Sequence, residues 1–334
     1  MRDHGGDLDR AKARYGAGAW IDLSTGINRQ PYPVGALDFA LWTALPLASD
    51  LAALEACAAR AYGAQDPGSV VALSGAQAAI QLIPRLRPPG RAAVLSPSYN
   101  EHAAALDAQG WEVSQAPDLA QMRGADLAVL VNPNNPDGRH WPPAAVAALA
   151  AEVGLLVVDE SFADATPDLS LIPQLPHLGE RVVILRSFGK FFGLAGARLG
   201  FALAGPQTTA QLRALAGPWA VSGPSIALGR AALADRDWQA RTTERLKAEA
   251  SRLTTLLHEH AGWRCVGATA LFVTVETPDA RAAQDQLAET HIWTRAFPYS
   301  PTWLRLGLPG TEEEWSRLAA ALTPLSAARA DRCP

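Results

Sequence analysis

Short apolar runs alternate with amphipathic stretches through the middle of the chain. The runs predict strands at 69–73 (SVVAL), 91–96 (RAAVLS), 125–131 (ADLAVLV), 154–159 (GLLVVD), 181–186 (RVVILR) and 198–204 (RLGFALA). Helical spacing lies between several of them, in AQAAIQLIPRL, NEHAAALDAQG and PAAVAALAAEV. Continuous apolar strands separated by helices describe an α/β fold with a mostly parallel sheet covered on both faces. Too few residues separate 181–186 from 198–204 for a crossover helix, which leaves an antiparallel pairing open. A helix is predicted over 50–63, with Asp50 as N-cap and Gly63 as stop. Residues 1–46, with the turn-rich TGINRQPYP, read as an irregular arm. After Gly205 a long helical stretch runs to about 260. Strands near 270–276, 292–295 and 303–308 follow, with helices at 278–290 and 311–327. The expected segments are therefore an arm (1–46), a large domain (47–205), linking helices (206–260) and a small C-terminal α+β domain (261–334).

Composition narrows the function. A chain of 334 residues, 49% hydrophobic, buries a large core and has room for two domains. Its net charge of −4 gives no basic surface for nucleic acid. Cys57, Cys265 and Cys333 are too scattered for a metal spacing or a disulfide framework. The polar start, MRDHGGDLDR, lacks an apolar signal core, and no run is long and apolar enough for a membrane span. A cytoplasmic protein acting on a small molecule is expected.

In open parallel sheets ligands sit at the carboxyl ends of the strands, so the residues just past each strand carry the candidate chemistry. Ser74-Gly75-Ala76-Gln77 opens a helix, which suits either a phosphate or an ordinary helix start. Tyr99, in SPSYNEH, either stacks on a planar ring or packs in the core. NPNNPDG (132–138) is a polar turn stiffened by two Asn-Pro steps, fit to hold an amide at a fixed point. Asp159 and Glu160 end an apolar strand, and a carboxylate there needs a partner. Ser187, Lys190 and Arg198 follow in SFGKFFGLAGARLG. The chain has only three lysines, Lys12, Lys190 and Lys247. Arginine elsewhere supplies the positive charge, but a guanidinium cannot form a Schiff base and an amine can. Phosphate cradle, aromatic, amide, carboxylate and amine, met in order at successive strand ends, match the parts of pyridoxal phosphate.

These motifs resemble the fold-type I pyridoxal-phosphate enzymes of the aspartate aminotransferase superfamily, over about Asp22 to Leu322. The resemblance implies a large domain with a mostly parallel seven-stranded sheet, a small C-terminal domain and a homodimer. By likeness to the family's motifs, Lys190 is the Schiff-base residue and Asp159 the partner of the pyridine nitrogen. Asn135 contacts the ring hydroxyl and Tyr99 lies over the ring. Gly75, Ala76, Gln77, Ser187 and Arg198 hold the phosphate. Arg305, in WLRLGLP, stands where the family binds a substrate carboxylate. Two positions depart from the pattern: Phe162 replaces a tyrosine that many relatives use on the ring hydroxyl, and Leu45-Pro46 replaces a Tyr-Pro that reaches the partner's cofactor phosphate.

Within the superfamily, the N-terminal HGGDLDRAKARYG and IDLSTGINRQPYP are similar to those of the L-threonine-O-3-phosphate decarboxylases of cobalamin biosynthesis. That likeness implies a phosphorylated amino acid as substrate, with His4, Gly6, Asn28, Arg295 and Arg305 as candidates to grip it, the two arginines not divided between phosphate and carboxylate. Gripping the phosphate would force the carboxylate out of the ring plane, the geometry that decarboxylation needs. The alternative is an aminotransferase of a phosphorylated substrate such as histidinol phosphate. A non-catalytic pyridoxal-phosphate-binding module is the remaining class.

Overall fold

Seven short strands pair into one sheet. In spatial order they are Val70–Leu73, Gly200–Ala204, Val182–Ser187, Leu156–Asp159, Leu127–Val131, Arg91–Leu95 and Glu112–Ala116. Gly200–Ala204 runs antiparallel to both its neighbours, and the other pairings are parallel. The computed structural model describes residues 4–330 and divides them into two compact units. One spans Pro31–Arg241; the other joins the residues up to Gln30 with those from Thr242 onward. The long helix Arg236–Ala261 begins in the first and ends in the second.

The sheet belongs to the Pro31–Arg241 unit. Its inner strands are apolar along their whole length because both faces are covered: every residue of Leu127–Val131 and Leu156–Asp159 is buried. On one face Val129, Val157 and Leu185 pack with Ile80 and Leu106 of the helices Ala76–Leu82 and Asn100–Asp107. Trp111 joins this core and donates its indole N–H to the Pro84 carbonyl at 3.0 Å, so its polar atom is not stranded. The edge strand Val70–Leu73 is met by side chains: Glu55 accepts from Ala72 N–H (3.0 Å) and Arg213 donates to Val70 O (2.6 Å).

The antiparallel pairing left open between 181–186 and 198–204 is the one formed. Four local expectations fail, each for a physical reason. Strands Glu112–Ala116 and Arg264–Thr269 were not predicted, because both are largely solvent-facing and carry no apolar run. The arm holds a helix, Leu8–Tyr15, started by the Asp7 carboxylate accepting from Arg10 N–H at 3.1 Å. Asp50 is not an N-cap; its helix starts earlier, at Ala48, and Asp50 sits in the first turn. Gly63 does end that helix, in the left-handed conformation. The long helical stretch is three helices, Pro206–Ala216, Gly223–Ala234 and Arg236–Ala261, interrupted at Gly217-Pro218 and at Asp235.

The other unit has a four-stranded antiparallel sheet, ordered Arg295–Phe297, Ser300–Gly307, Phe272–Glu276 and Arg264–Thr269. A short parallel pair, Ile21–Asp22 with Ile292–Trp293, brings the N-terminal segment into the same unit. Cys57 and Cys265 are unbridged thiols, and Cys333 lies outside the described residues. Among the described residues no helix is long and apolar enough to cross a membrane.

Gly200 starts its strand against the loop after Leu73. A Cβ there would lie 2.3 Å from Ala76 N and 2.6 Å from Gly75 C, both backbone atoms that cannot step aside. Gly200→Ala is therefore expected to lower the urea midpoint at unchanged slope, by about 1–3 kcal/mol of overpacking. A wild-type midpoint would contradict this crowding.

Candidate active site

At the carboxyl ends of the central strands the Pro31–Arg241 unit has a pocket of about 150 Å³. All nine residues expected around a cofactor line it: Gly75, Ala76, Gln77, Tyr99, Asn135, Asp159, Ser187, Lys190 and Arg198. The chain places them in three groups.

One end is built for an anion. Gly75 has φ of 81° and precedes helix Ala76–Leu82, whose start carries no side-chain cap. Arg198 is in the left-handed region (φ 48°) and anchors Nη1 on the Ala195 carbonyl at 3.1 Å. A Cβ on Gly75 would meet Arg198 Nη2 at 2.8 Å, so glycine is what lets the guanidinium lie over this turn. Backbone N–H groups at a helix start, a guanidinium and the Ser187 hydroxyl at the same wall suit a phosphate.

The second group surrounds a flat space. Of the asparagines in NPNNP, two serve the loop itself. Asn132 exchanges hydrogen bonds with Trp141. Asn134 donates to Pro97 O (2.9 Å) and Asp137 Oδ1 (2.7 Å) and accepts from Ser98 Oγ (2.9 Å). Asn134 thereby ties the loop bearing Tyr99 to the loop bearing Asn135, and Asn135 is the one that lines the pocket. Phe162 lines it too.

Asp159 ends a buried strand. An isolated buried carboxylate costs several kcal/mol. Here Oδ2 lies 2.9 Å from His102 Nε2, and Oδ1 accepts from Ser161 N–H at 2.9 Å and from the Ser161 hydroxyl. Hydrogen bonds to a charged group contribute about 1.5–3 kcal/mol each, enough to offset that cost. Burial pushes the Asp159 carboxyl up, but the hydrogen bond and charge of His102 and the bonds from Ser161 outweigh it, and the net shift is downward.

The third group is the lysine turn. Lys190 sits in the short helical turn Phe188–Phe191, with Nζ 5.7 Å from the Phe162 ring centroid. The flanking phenylalanines belong to the core: Phe188 stacks on Phe192 (4.5 Å), which stacks on Trp238 (5.7 Å). They clamp the turn and leave Lys190 on the pocket wall. An anion end, a buried ionised carboxylate and an amine on one pocket wall together fit pyridoxal phosphate.

The five substrate candidates belong to the other unit. Gly6 N–H donates to Ser24 Oγ (2.7 Å), and Arg305 Nη2 donates to Ser24 O (2.6 Å), so His4-Gly5-Gly6 and Arg305 share one anchor. Arg295 and Arg305 are register partners on adjacent strands. Burial and the neighbouring charge of Arg295 pull Arg305 down to about 10, which marks a place that an anion would stabilise. Asn28 is buried, its Oδ1 accepting from Gln30 N–H and Arg245 Nη2, both at 3.0 Å. The reading of the residues missed His102 and Ser161. No local signal marks His102: it lies three residues past Tyr99 on helix Asn100–Asp107, and its carboxylate partner is 57 residues on in the sequence.

The family model for class I and II aminotransferases matches residues 36–322. The threonine-phosphate decarboxylase of Pseudomonas aeruginosa is 45% identical over 331 residues, covering 96% of this chain and 97% of that protein. A histidinol-phosphate aminotransferase of Streptomyces avermitilis is 33% identical over 270 residues, covering 74% and 71%. The structure of histidinol-phosphate aminotransferase from Sinorhizobium meliloti, in complex with pyridoxal-5'-phosphate, superposes with a TM-score of 0.80. It is 24% identical and covers 98% of this chain and 96% of its own.

The downward shift of Asp159 has a pH consequence. Ionised Asp159 contributes stability above its ordinary value of about 3.9, and that stability is lost as pH falls through the lower folded-state value. Without His102 burial weighs more and the folded-state value rises toward or past the unfolded one, so the stability that ionised Asp159 adds above that range shrinks or is lost. His102→Ala should therefore be less stable than wild type at neutral pH, with the deficit narrowing as pH falls through the acid range, followed by urea denaturation without cofactor; a deficit that does not change with pH would contradict the coupling.

Proposed function

Because the chain belongs to the class I and II aminotransferase family, we propose that it is a pyridoxal-phosphate-dependent decarboxylase. Its reaction converts L-threonine O-3-phosphate to (R)-1-amino-2-propanol O-2-phosphate and CO2, a step of cobalamin biosynthesis. The observation that carries this reading is the 45% identity to a threonine-phosphate decarboxylase across nearly the whole of both chains. Likeness to the histidinol-phosphate aminotransferase is lower and shorter.

When bound, pyridoxal phosphate supplies an aldehyde for the substrate amine and a protonated pyridine ring that accepts the electrons of the breaking bond. The protein's residues do the rest. Asp159, kept ionised by His102 and Ser161, holds the proton on the ring nitrogen. Arg198, Ser187 and the turn Gly75–Gln77 bind the cofactor phosphate. Tyr99 and Phe162 exclude water from the ring. Phe162 has no hydroxyl, so Asn135 carries the contact to the ring oxygen.

The Lys190 amine would hold the cofactor aldehyde in the absence of substrate and, once free, would stand on the pocket wall to move protons. Arg295, Arg305, Asn28 and the His4–Gly6 arm bind the substrate anions. Guanidiniums suit both phosphate and carboxylate, and the phosphate grip selects the Cα–carboxylate bond for cleavage. The Cα–C bond breaks, CO2 leaves and a proton is delivered to Cα, with Lys190 Nζ as donor.

The same reading includes a homodimer. Phe39, Trp42, Leu45, Leu47 and Trp219 are all more than half exposed, a load of large apolar side chains that a second copy would cover.

Purified protein supplied with pyridoxal phosphate and L-threonine O-3-phosphate should release CO2 stoichiometrically with product. Pyridoxamine phosphate accumulating without CO2 would instead establish an aminotransferase. Lys190→Ala should lose both the visible absorbance of the lysine-bound cofactor and all but a trace of turnover, and retained turnover would remove Lys190 from its role. In light scattering, wild type should have twice the chain mass of 35.3 kDa, and Trp42→Glu with Leu45→Glu should shift it to one chain. A monomeric wild type would overturn the dimer.

A further inference from the structure

Side chains alternate across a sheet. Asp159 is in register with Leu185, so Asp159 and Ser187 share the pocket face, and Glu160 and Arg186 share the opposite one. Glu160 N–H donates to Leu185 O at 2.9 Å, which extends the pairing one residue past the strand.

On that hidden face Arg186 Nη1 donates to Glu160 Oε2 at 3.0 Å, and Nη2 lies 3.0 Å from Asp164 Oδ1. The guanidinium is 4.4 Å from the centroid of the Tyr62 ring. Glu160 also accepts from Ser170 Oγ (2.6 Å) and Leu171 N–H (2.7 Å). Glu160 is fully buried and Arg186 nearly so.

Three charges inside an otherwise apolar sheet are a costly way to gain stability, since well-packed hydrophobic residues often do as well. What the cluster supplies is fixed geometry. Its backbone neighbours are the pocket wall: Asp159, Ser161 and Phe162 flank Glu160, and Ser187, Gly189 and Lys190 follow Arg186.

We propose that Arg186 is a positioning residue for the cofactor pocket, locking the strand end that carries Asp159 to the turn that carries Lys190 through Glu160 and Asp164 on the reverse face of the sheet. The proposal rests on the cofactor reading above, not on the choice of substrate. The planar fork is required because two carboxylates are held by two different nitrogens, which a lysine point charge does not reproduce.

The test compares Arg186→Lys with wild type without cofactor and after titration with pyridoxal phosphate. The expected result is a native circular dichroism spectrum, cofactor affinity by fluorescence quenching lowered at least tenfold, and a displaced pH midpoint of the visible band. Cofactor affinity within twofold of wild type and an unmoved band, with only the melting temperature reduced, would overturn the proposal and leave Arg186 a structural residue. If Arg186→Lys does not fold, Glu160→Gln serves, with the same tenfold loss expected and wild-type affinity overturning the role. A wild type that forms no visible band overturns the cofactor reading and the positioning role together, whereas a band without CO2 release overturns only the decarboxylation.

Discussion

A carboxylate at the end of a buried strand cannot stay charged without partners, and the pocket is arranged around meeting that need for Asp159. His102 comes from the helix after Arg91–Leu95, and Ser161 from the turn after Leu156–Asp159 itself. Two strand ends, separated in the sheet by Leu127–Val131, are thereby referred to one side chain. The parallel sheet fixes where those ends lie, and the apolar strands fix the sheet. The charge is therefore also a ruler for the pocket, because moving any partner leaves a buried ion exposed to its full desolvation cost.

The same economy of polar groups governs the NPNNP loop. Three asparagines stand close together, and two satisfy backbone and neighbouring loops. Their amides are consumed in holding a shape, which leaves Asn135 on the pocket wall. Arg139 adds to this, donating to Asp137 Oδ2 at 2.7 Å and Pro117 O at 2.9 Å, and Asp137 in turn holds Asn134. The rigid loop and the buried carboxylate are two ways of spending polar side chains on position so that a few remain for chemistry.

Much of this was legible in the sequence, and the reasons differ by element. The inner strands could be read because burial on both faces demands unbroken apolar runs, as in LAVLV and LVVD. Lys190, Asp159 and Asn135 could be read because each is a chemically specific residue at a strand end. The strand Glu112–Ala116 could not, since an edge strand facing solvent has no apolar signature. Helix Leu8–Tyr15 was hidden by a highly polar composition, and its placement depends on contacts such as Tyr15 Oη to Asp285, far away in sequence. His102 was hidden for the same reason: nothing local says that a histidine on a helix will face an aspartate 57 residues on. The substrate candidates drew on likeness alone, because their elements meet only through long-range pairing such as Ile21 with Ile292.

The way the large sheet ends bears on the fate of the chain during synthesis. A strand with bare backbone groups along its outer side is a template on which any extended segment of another molecule can extend the ladder. Glu55 and Arg213 occupy two of those groups on Val70–Leu73, the Ala72 N–H and the Val70 carbonyl, and at the opposite margin the outermost strand presents Glu112, Ser114 and Gln115 rather than apolar side chains. A copy that has closed its sheet is thus a poor seed for neighbours still folding. The two side chains also pair with each other, Arg213 Nη1 lying 2.9 Å from Glu55 Oε1, so one ion pair between two helices serves the population of molecules as well as the single chain.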